Sequence, residues 1–184
     1  GWKLLAMLAC SQWLVKGLVW GFSITTMDFL LRDYNVPGPM IQVYRTIAML
    51  PWAMKPLFGL VSDAFPICGY HKAPYIMISS VIALVAYLFI GLDTEQHMVV
   101  EVVVVCLLLG TMQVSVADLL TEAQYASQIR EHPQRGPDLL TYVWAGITVG
   151  NLLATASVGT LIEHLGAFRI YAIIALPSAL LVLP

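Results

Sequence analysis

Six long apolar stretches alternate with short polar segments along the chain. They cover approximately residues 4–30, 39–62, 74–92, 99–120, 139–162 and 168–184. A helix needs about 20 mainly apolar residues to cross the hydrocarbon core of a bilayer, and each stretch reaches or approaches that length. The pattern therefore predicts six membrane-spanning helices, of which the sixth is cut short by the end of the sequence.

Prolines mark several edges of these predicted helices. Pro39 opens the second stretch, Pro74 the third, and Pro137 leads into the fifth, which suits a residue that is tolerated in the first helical turn. Pro51 and Pro56 lie inside the second stretch instead. Because proline removes a backbone donor, we expect them to bend or loosen this helix and to free carbonyl groups.

The composition agrees with a membrane protein and excludes other classes. Hydrophobic residues make up 59% of the chain and charged residues 11%, with a mean hydropathy of +0.81, whereas soluble domains carry about 25% charged residues. The net charge is -2 and the nine Lys and Arg residues are scattered singly. No basic patch is present, so nucleic-acid binding is excluded.

No catalytic or metal-binding constellation is evident. Cys10, Cys68 and Cys106 stand far apart and are expected to be free thiols. The histidines all fall in predicted loops without paired metal-ligand spacing, namely His71, His97, His132 and His164. Neither a nucleophile elbow nor a phosphate-cradling Gly-rich loop is found. We therefore expect no enzyme activity, no metal and no cofactor.

The ends of the sequence and its charge asymmetry suggest a fragment with a defined orientation. The chain starts without methionine and ends inside an apolar stretch, and the first stretch is too long for a signal peptide. Cytoplasmic loops are enriched in Lys and Arg. One side of the predicted bundle holds Arg32 and Arg169, and the other holds Lys3, Lys72, Arg130 and Arg135. This predicts a cytoplasmic N-terminus.

The segment 50–75, which joins the second and third predicted helices, contains a candidate gate. Gly59 and Asp63 lie one helical turn apart on the same face, so a neighbouring helix could approach closely beside the carboxylate. Lys72, across the turn, could pair with Asp63. The alternative is an ordinary helix-ending turn with a positive-inside anchor.

The same segment carries a family resemblance. The order Gly59, Asp63, Gly69, His71, Lys72 resembles the loop motif between helices two and three of the major facilitator superfamily. Three longer strings are similar to the folate-biopterin transporter family within it: PWAMKPLFGLVSD at 51–63, FPICGY at 65–70 and DLLTEA at 118–123.

The resemblance implies an all-α membrane protein in which residues 1–184 form the N-terminal six-helix half of a twelve-helix transporter. It implies folate, biopterin or a related pterin as substrate, with possible coupling to the proton gradient. The expected partners are this small molecule, the lipid bilayer and the C-terminal half of the same transporter, with the plasma membrane as the location. Two alternatives stay open: a transporter of S-adenosylmethionine or another small solute, and a membrane-embedded enzyme or structural six-helix protein.

Charged residues inside the predicted helices are candidates for function, because each costs at least about 2.5 kcal/mol on insertion scales. Lys16 lies midway along the first helix. It could meet an anionic group of a substrate or pair with an acidic side chain of another helix. Arg45 in the second helix could bind a carboxylate or extend towards the membrane surface. For Lys55, nearer the predicted cytoplasmic boundary, extension towards the surface is favoured.

The fourth predicted helix carries one polar stripe, formed by Thr111, Ser115, Asp118 and Glu122. Asp118 and Glu122 are like charges one turn apart, so either could hold a proton, as a proton-coupled carrier would require. The alternative is a structural gate in which they pair with Arg130 or Lys72.

The fifth predicted helix shows two faces. Gly146, Gly150 and Ala154 form a small-residue seam for packing against another helix, and Gly17 and Gly21 offer a similar seam in the first helix. The other face is a polar stripe expected to line a cavity, unless its side chains bond their own backbone. This stripe comprises Thr141, Trp144, Thr148, Asn151 and Thr155.

These residues define the predicted site. A flat pterin ring could stack on an indole, and a folate carboxylate could meet a basic side chain. The substrate-binding candidates are Lys16, Arg45, Trp20, Trp144, Thr148 and Asn151. The proton-coupling or gate candidates are Asp118, Glu122, Gly59, Asp63 and Lys72.

Overall fold

The computed structural model describes residues 2–67 and 69–180, and this part of the chain is almost entirely helical. The expected free thiol of Cys68 lies outside the described residues, whereas Cys10 and Cys106 are free as predicted. The α-helices are α1 Trp2–Leu8, α2 Trp20–Asp33, α3 Gly38–Ala48, α4 Leu50–Ala53, α5 Lys55–Ala64, α6 Ala73–Leu92, α7 Val100–Glu131, α8 Gly136–Leu165 and α9 Ala167–Ala179. A π-helical segment, Ala9–Val19, joins α1 to α2, and a 3-10 turn, Pro133–Arg135, precedes α8.

Within residues 2–67 and 69–180, four helical stretches are long and apolar enough to cross a membrane. They are Trp2–Asp33, Ala73–Leu92, Val100–Glu131 and Pro133–Leu165. They coincide with the first, third, fourth and fifth predicted stretches, which confirms a helical integral membrane protein. The sixth predicted stretch corresponds to the 13-residue α9, and its final residues lie outside the described part of the chain.

The second predicted stretch is broken into α3, α4 and α5 by its prolines. Breaks fall at Met49 and Met54, and each precedes a proline by two residues, Pro51 in α4 and Pro56 in α5. Proline removes a backbone donor and restricts the residue before it, which favours a break at each of these positions. The Ser115 hydroxyl on α7 donates to the Pro51 carbonyl over 2.8 Å. The loosening expected from the prolines is therefore confirmed.

Helix α7 extends well beyond its predicted end near residue 120. It has 32 residues, or about 48 Å at 1.5 Å per residue, whereas the hydrocarbon core is about 30 Å thick. Residues 121–131 are polar but rich in strong helix formers. The apolar pattern thus marks the end of the hydrophobic part, and the helix continues past it.

The main core lies between α2, α6, α7 and α9. Tyr87 and Tyr171 are fully buried there with ring centroids 5.8 Å apart, and the Tyr171 hydroxyl donates to the Ser23 carbonyl over 2.9 Å. A Cβ added at Gly110 would lie 2.5 Å from the Tyr87 ring. Glycine at this position is what allows the tyrosine to lie against α7.

The small-residue seams predicted in the first and fifth helices pack against each other. A Cβ at Gly150 would lie 2.8 Å from the Gly17 Cα, and one at Gly21 would lie 2.8 Å from the Ala154 Cβ. Beside them, the Trp13 indole occupies the space that a side chain at Gly146 would need. The predicted seam is confirmed, and it fixes the height and rotation of the π-helical segment against α8.

Candidate functional site

Two lysines from different helical stretches share one buried carboxylate. Asp118 on α7 is 3% exposed. Its Oδ1 accepts a hydrogen bond from Lys16 Nζ over 2.8 Å, and its Oδ2 accepts one from Lys55 Nζ over 2.6 Å. The first, second and fourth helical stretches therefore meet at a three-residue cluster, Lys16–Asp118–Lys55.

Local structure explains how each lysine reaches Asp118. Lys16 belongs to the π-helical segment, which the glycine seam holds against α8. Lys55 is the first residue of α5 and directly follows the break at Met54. The expected extension of Lys55 towards the membrane surface is wrong, since its ammonium bonds the buried Asp118. The break at Met54 places the Lys55 ammonium within reach of the buried Asp118 carboxylate. A charge-assisted hydrogen bond to this carboxylate takes the place of contact with water at the membrane surface.

The cluster carries an excess of positive charge. Two ammonium groups face one carboxylate, which leaves a net charge of +1 inside the membrane-spanning region. The side chains of Lys16 and Lys55 are 21% and 22% exposed, so both can be reached from outside while Asp118 cannot. For Lys16, the structure shows the pair with another helix, and its predicted contact with a substrate stays a prediction.

Indole rings surround the lysines. Lys55 Nζ lies 4.3 Å from the Trp52 ring centroid, and Lys16 Nζ lies 6.0 Å from Trp52 and 5.8 Å from Trp144. These distances fall within the range of cation–π attraction. Trp20 packs on Trp52 with centroids 5.4 Å apart. The predicted Trp20 and Trp144 thus come to the same cluster, together with Trp52, which sequence reasoning did not select.

Gln12 extends the polar layer by one helical turn from Lys16. It is fully buried, and its Nε2 donates to Thr121 Oγ1 over 2.8 Å. Thr121 follows Asp118 by three residues and bonds the Asp118 carbonyl. The contact links the first helical stretch to α7 a second time and fixes the rotation of Lys16 relative to Asp118.

Arg45 is held at a different site, by an acid that sequence reasoning missed. Its Nη1 donates to Asp28 Oδ2 over 2.8 Å, and both side chains are about one-third exposed. Asp28 lies inside the first apolar stretch, where a charge is costly. The argument that singled out Lys16 would have found it. Lys16 and Asp28 are about 18 Å apart along the helix, so Arg45 is not part of the lysine cluster.

The polar stripe of α8 bonds its own backbone. Thr148 Oγ1 donates to the Trp144 carbonyl over 2.8 Å, and Asn151 Nδ2 donates to the Ile147 carbonyl over 3.0 Å. This is the alternative that the sequence left open for these side chains. Trp144 itself is 61% exposed beside Lys16, so the indole is the member of the stripe that meets the cluster.

The ion pairs expected for the acids of α7 differ from those observed. Asp118 pairs with Lys16 and Lys55, not with Arg130 or Lys72. Glu122 is exposed and forms no ion pair with any residue that the structure describes. The partners of Asp118 were missed because they lie 102 and 63 residues away along the chain.

The segment 50–75 adopts a turn that differs from the expected ion pair. A Cβ at Gly59 would meet only Leu119, at an ordinary 3.6 Å, so the expected close approach is not seen. Asp63 is exposed, and within the described residues it forms no ion pair with Lys72. The turn is instead held by the Tyr75 hydroxyl, which donates to the Phe65 carbonyl over 2.6 Å.

The helices and the buried ion cluster define a polytopic helical membrane protein with charged side chains inside its spans. The model of the BT1 family matches residues 16–183, and the chain belongs to that family. No solved structure matches the chain.

Proteins of three organisms match more than half of this chain. It is 25% identical over 166 residues to probable folate-biopterin transporter 2 of Arabidopsis thaliana, with 90% of this chain and 33% of the relative covered. It is 26% identical over 181 residues to the folate-biopterin transporter of Synechocystis sp., with 95% and 35% covered. Folate transporter 1 of Plasmodium falciparum is 23% identical over 103 residues, with 55% and 20% covered.

The chain spans about one third of the length of the first two relatives. The resemblance to the folate-biopterin transporter family is confirmed. All three relatives are named as transporters, which also confirms the expectation of a transporter family and not an enzyme family.

Proposed function

We propose that this chain is the N-terminal six-helix half of a twelve-helix carrier of the major facilitator type, and that the carrier transports folate, biopterin or a related pterin. The names of the relatives support the substrate class. About two thirds of the length of those relatives lies outside the matched region, which leaves room for six further spans. Transport then requires both halves, which rock about a site near the middle of the membrane.

The observation that carries this proposal is the net positive charge of the Lys16–Asp118–Lys55 cluster beside three indoles. Folate combines carboxylates with a flat pterin ring. A carboxylate can accept charge-assisted hydrogen bonds from Lys16, and the ring can stack on Trp20 or Trp144. Thr148 and Asn151 lie one and two turns from Trp144 on α8 and complete the proposed binding face.

The net positive charge of the cluster also distinguishes folate-like substrates from the alternative, S-adenosylmethionine. S-adenosylmethionine carries a sulfonium cation, which a net positive site repels, and it would favour acidic partners. Arg45 and Asp28 form a one-to-one ion pair without net charge, whereas the lysine cluster carries +1. We therefore place Lys16 ahead of Arg45 as the first contact of the substrate.

Gating and energy coupling are assigned to other residues. With the N-terminus in the cytosol and the carrier in the plasma membrane, Gly59, Asp63 and Lys72 act at the cytoplasmic gate. For coupling to protons, Glu122 is the proposed carboxyl group, and Asp118 is assigned a different role. Glu122 is the more accessible of the two, since it is exposed and Asp118 holds two lysines.

Uptake by cells that express the full-length protein tests the proposal. Labelled folate and biopterin should accumulate above the level of cells with an empty vector, and labelled S-adenosylmethionine should not. The uptake of folate should rise when the outside medium is acidified if protons are coupled. Accumulation of S-adenosylmethionine without folate or biopterin would contradict the proposed substrate class.

A further inference from the structure

We infer that Asp118 is the internal counter-ion of the empty carrier, which a substrate carboxylate replaces at Lys16 while Lys55 keeps its bond to Asp118. This inference rests on the proposed function, because it requires an anionic substrate. Asp118 is then a positioning residue that holds Lys16 until the substrate binds. This role differs from that of a proton site or a gate.

The geometry allows one lysine to leave without the other. Each oxygen of Asp118 accepts from a different ammonium, Oδ1 from Lys16 and Oδ2 from Lys55. Breaking the bond to Oδ1 therefore leaves the bond to Oδ2 intact. The carboxylate stays paired in both states, as a charge that is 3% exposed requires.

The surroundings indicate that Lys16 is the lysine that exchanges its partner. The ammonium of Lys55 lies 4.3 Å from the Trp52 ring centroid, whereas that of Lys16 lies 6.0 Å from it. Lys16 lies between Trp52 and Trp144, and Trp144 is largely exposed. An anion that approaches along Trp144 therefore reaches Lys16 first.

The charge count predicts what the exchange does for transport. The empty cluster carries +1, from two lysines and one carboxylate, and the one folate carboxylate that bonds Lys16 brings the cluster to zero. Without Asp118 the empty cluster would carry +2, so the empty carrier would have to move one more uncompensated charge through a low-dielectric region. The loaded carrier would still be partly neutralised by its substrate.

The Asp118→Asn variant of the full-length protein separates the return of the empty carrier from the movement of the loaded carrier. Net uptake into empty vesicles needs the empty carrier to return, whereas exchange against substrate preloaded inside does not. We expect the ratio of net uptake to exchange to fall roughly 70-fold, which corresponds to about 2.5 kcal/mol for one additional charge. Glu163→Gln, the same loss of charge at an exposed position on α8, is the control and should leave the ratio unchanged.

A second variant keeps the test decisive if Asp118→Asn is poorly expressed. In Lys55→Met combined with Asp118→Asn, the empty cluster again carries +1, and net uptake should recover relative to exchange. Equal losses of net uptake and exchange in Asp118→Asn, or no recovery in the double variant, would overturn the counter-ion role. If the wild-type protein carries neither folate nor biopterin, the proposed function itself fails. If it carries biopterin but not folate, the proposed function stands and the counter-ion role fails, because biopterin has no carboxylate to replace Asp118 at Lys16.

Discussion

Arg45 Nη1 donates to Asp28 Oδ2 over 2.8 Å, and this ion pair ties α3 to α2 independently of the lysine cluster. The other oxygen of Asp28 is buried and has no hydrogen-bond partner among the described residues. Among the described residues, the Asp28 carboxylate therefore has Arg45 as its one ionic partner and keeps one oxygen without a hydrogen bond.

Removing Asp28 should weaken the fold measurably but not abolish it. Because both side chains are about one-third exposed, we expect Asp28→Asn to lower the stability by about 1 kcal/mol. Thermal unfolding of the purified protein in detergent provides the measurement. A double-mutant cycle with Arg45→Gln isolates the pair, and additive losses in that cycle would show that the pair contributes nothing.

Loss of the Lys16 ammonium should remove uptake while membrane insertion stays intact. In Lys16→Ala, Asp118 keeps its bond to Lys55, so the carboxylate is not left unpaired. A charge-assisted hydrogen bond is worth about 1.5–3 kcal/mol, so substrate affinity should fall by at least about tenfold. Uptake and surface labelling on the same cells separate binding from insertion, and normal uptake would refute the substrate role of Lys16.

The helical membrane character of the chain and the four long apolar helices could be predicted from the sequence because they depend on local signals. Apolar stretches of sufficient length place the spans, prolines two residues after Met49 and Met54 break the second stretch, and glycine spacing shows the seam. Each of these signals lies within one helix, where a spacing of three or four residues defines a face.

The partners within the site could not be predicted in the same way. Lys16 and Asp118 are 102 residues apart, and their contact depends on the relative rotation of two helices. The π-helical segment changes that rotation, and no pattern in the sequence predicts a π-helix at this position. Asp28 is a different case, since an acid inside an apolar stretch is visible in the sequence, and it was overlooked as the partner of Arg45.

Side chains added to the glycine seam should separate the first and fifth helical stretches. A Cβ at Gly150 would lie 2.8 Å from backbone atoms of Gly17, and overpacking of this kind typically costs about 1–3 kcal/mol. Gly150→Ala should therefore lower the unfolding temperature in detergent. Gly159→Ala on the same helix, where an added Cβ would meet no atom of another helix within 4 Å in the described part of the chain, is the matched control and should lose no stability.

Neutralising Asp63 should affect the transport cycle more than binding. Asp63 is exposed and forms no ion pair within the described residues, so Asp63→Asn should fold normally. If Asp63 acts at the gate against the other half of the carrier, the rate of uptake falls while equilibrium binding of folate is retained. Loss of binding in this variant would contradict the gate role.

The connection between α6 and α7 should respond to acid through Asp93. Burial favours its neutral form, but the amide donors of Met98 and His97 and the hydroxyl of Tyr34 outweigh it and hold the pKa of Asp93 below its ordinary value of 3.8. The backbone N–H groups of His97 and Met98 donate to its two oxygens over 2.9 and 3.0 Å. Since the pKa is lower in the folded state, ionised Asp93 stabilises the fold above about pH 4, and this stabilisation is lost as the pH falls through the folded-state pKa.

Asp93→Asn should therefore be less stable than wild type at neutral pH, and the difference should shrink as the pH falls below about 4. Unfolding temperatures of both proteins in detergent between pH 7 and pH 3 measure this convergence. Glu163→Gln, an exposed position without an ion pair among the described residues, should show no such convergence. A constant difference between wild type and Asp93→Asn across this range would mean that the backbone contacts of Asp93 do not depend on its charge.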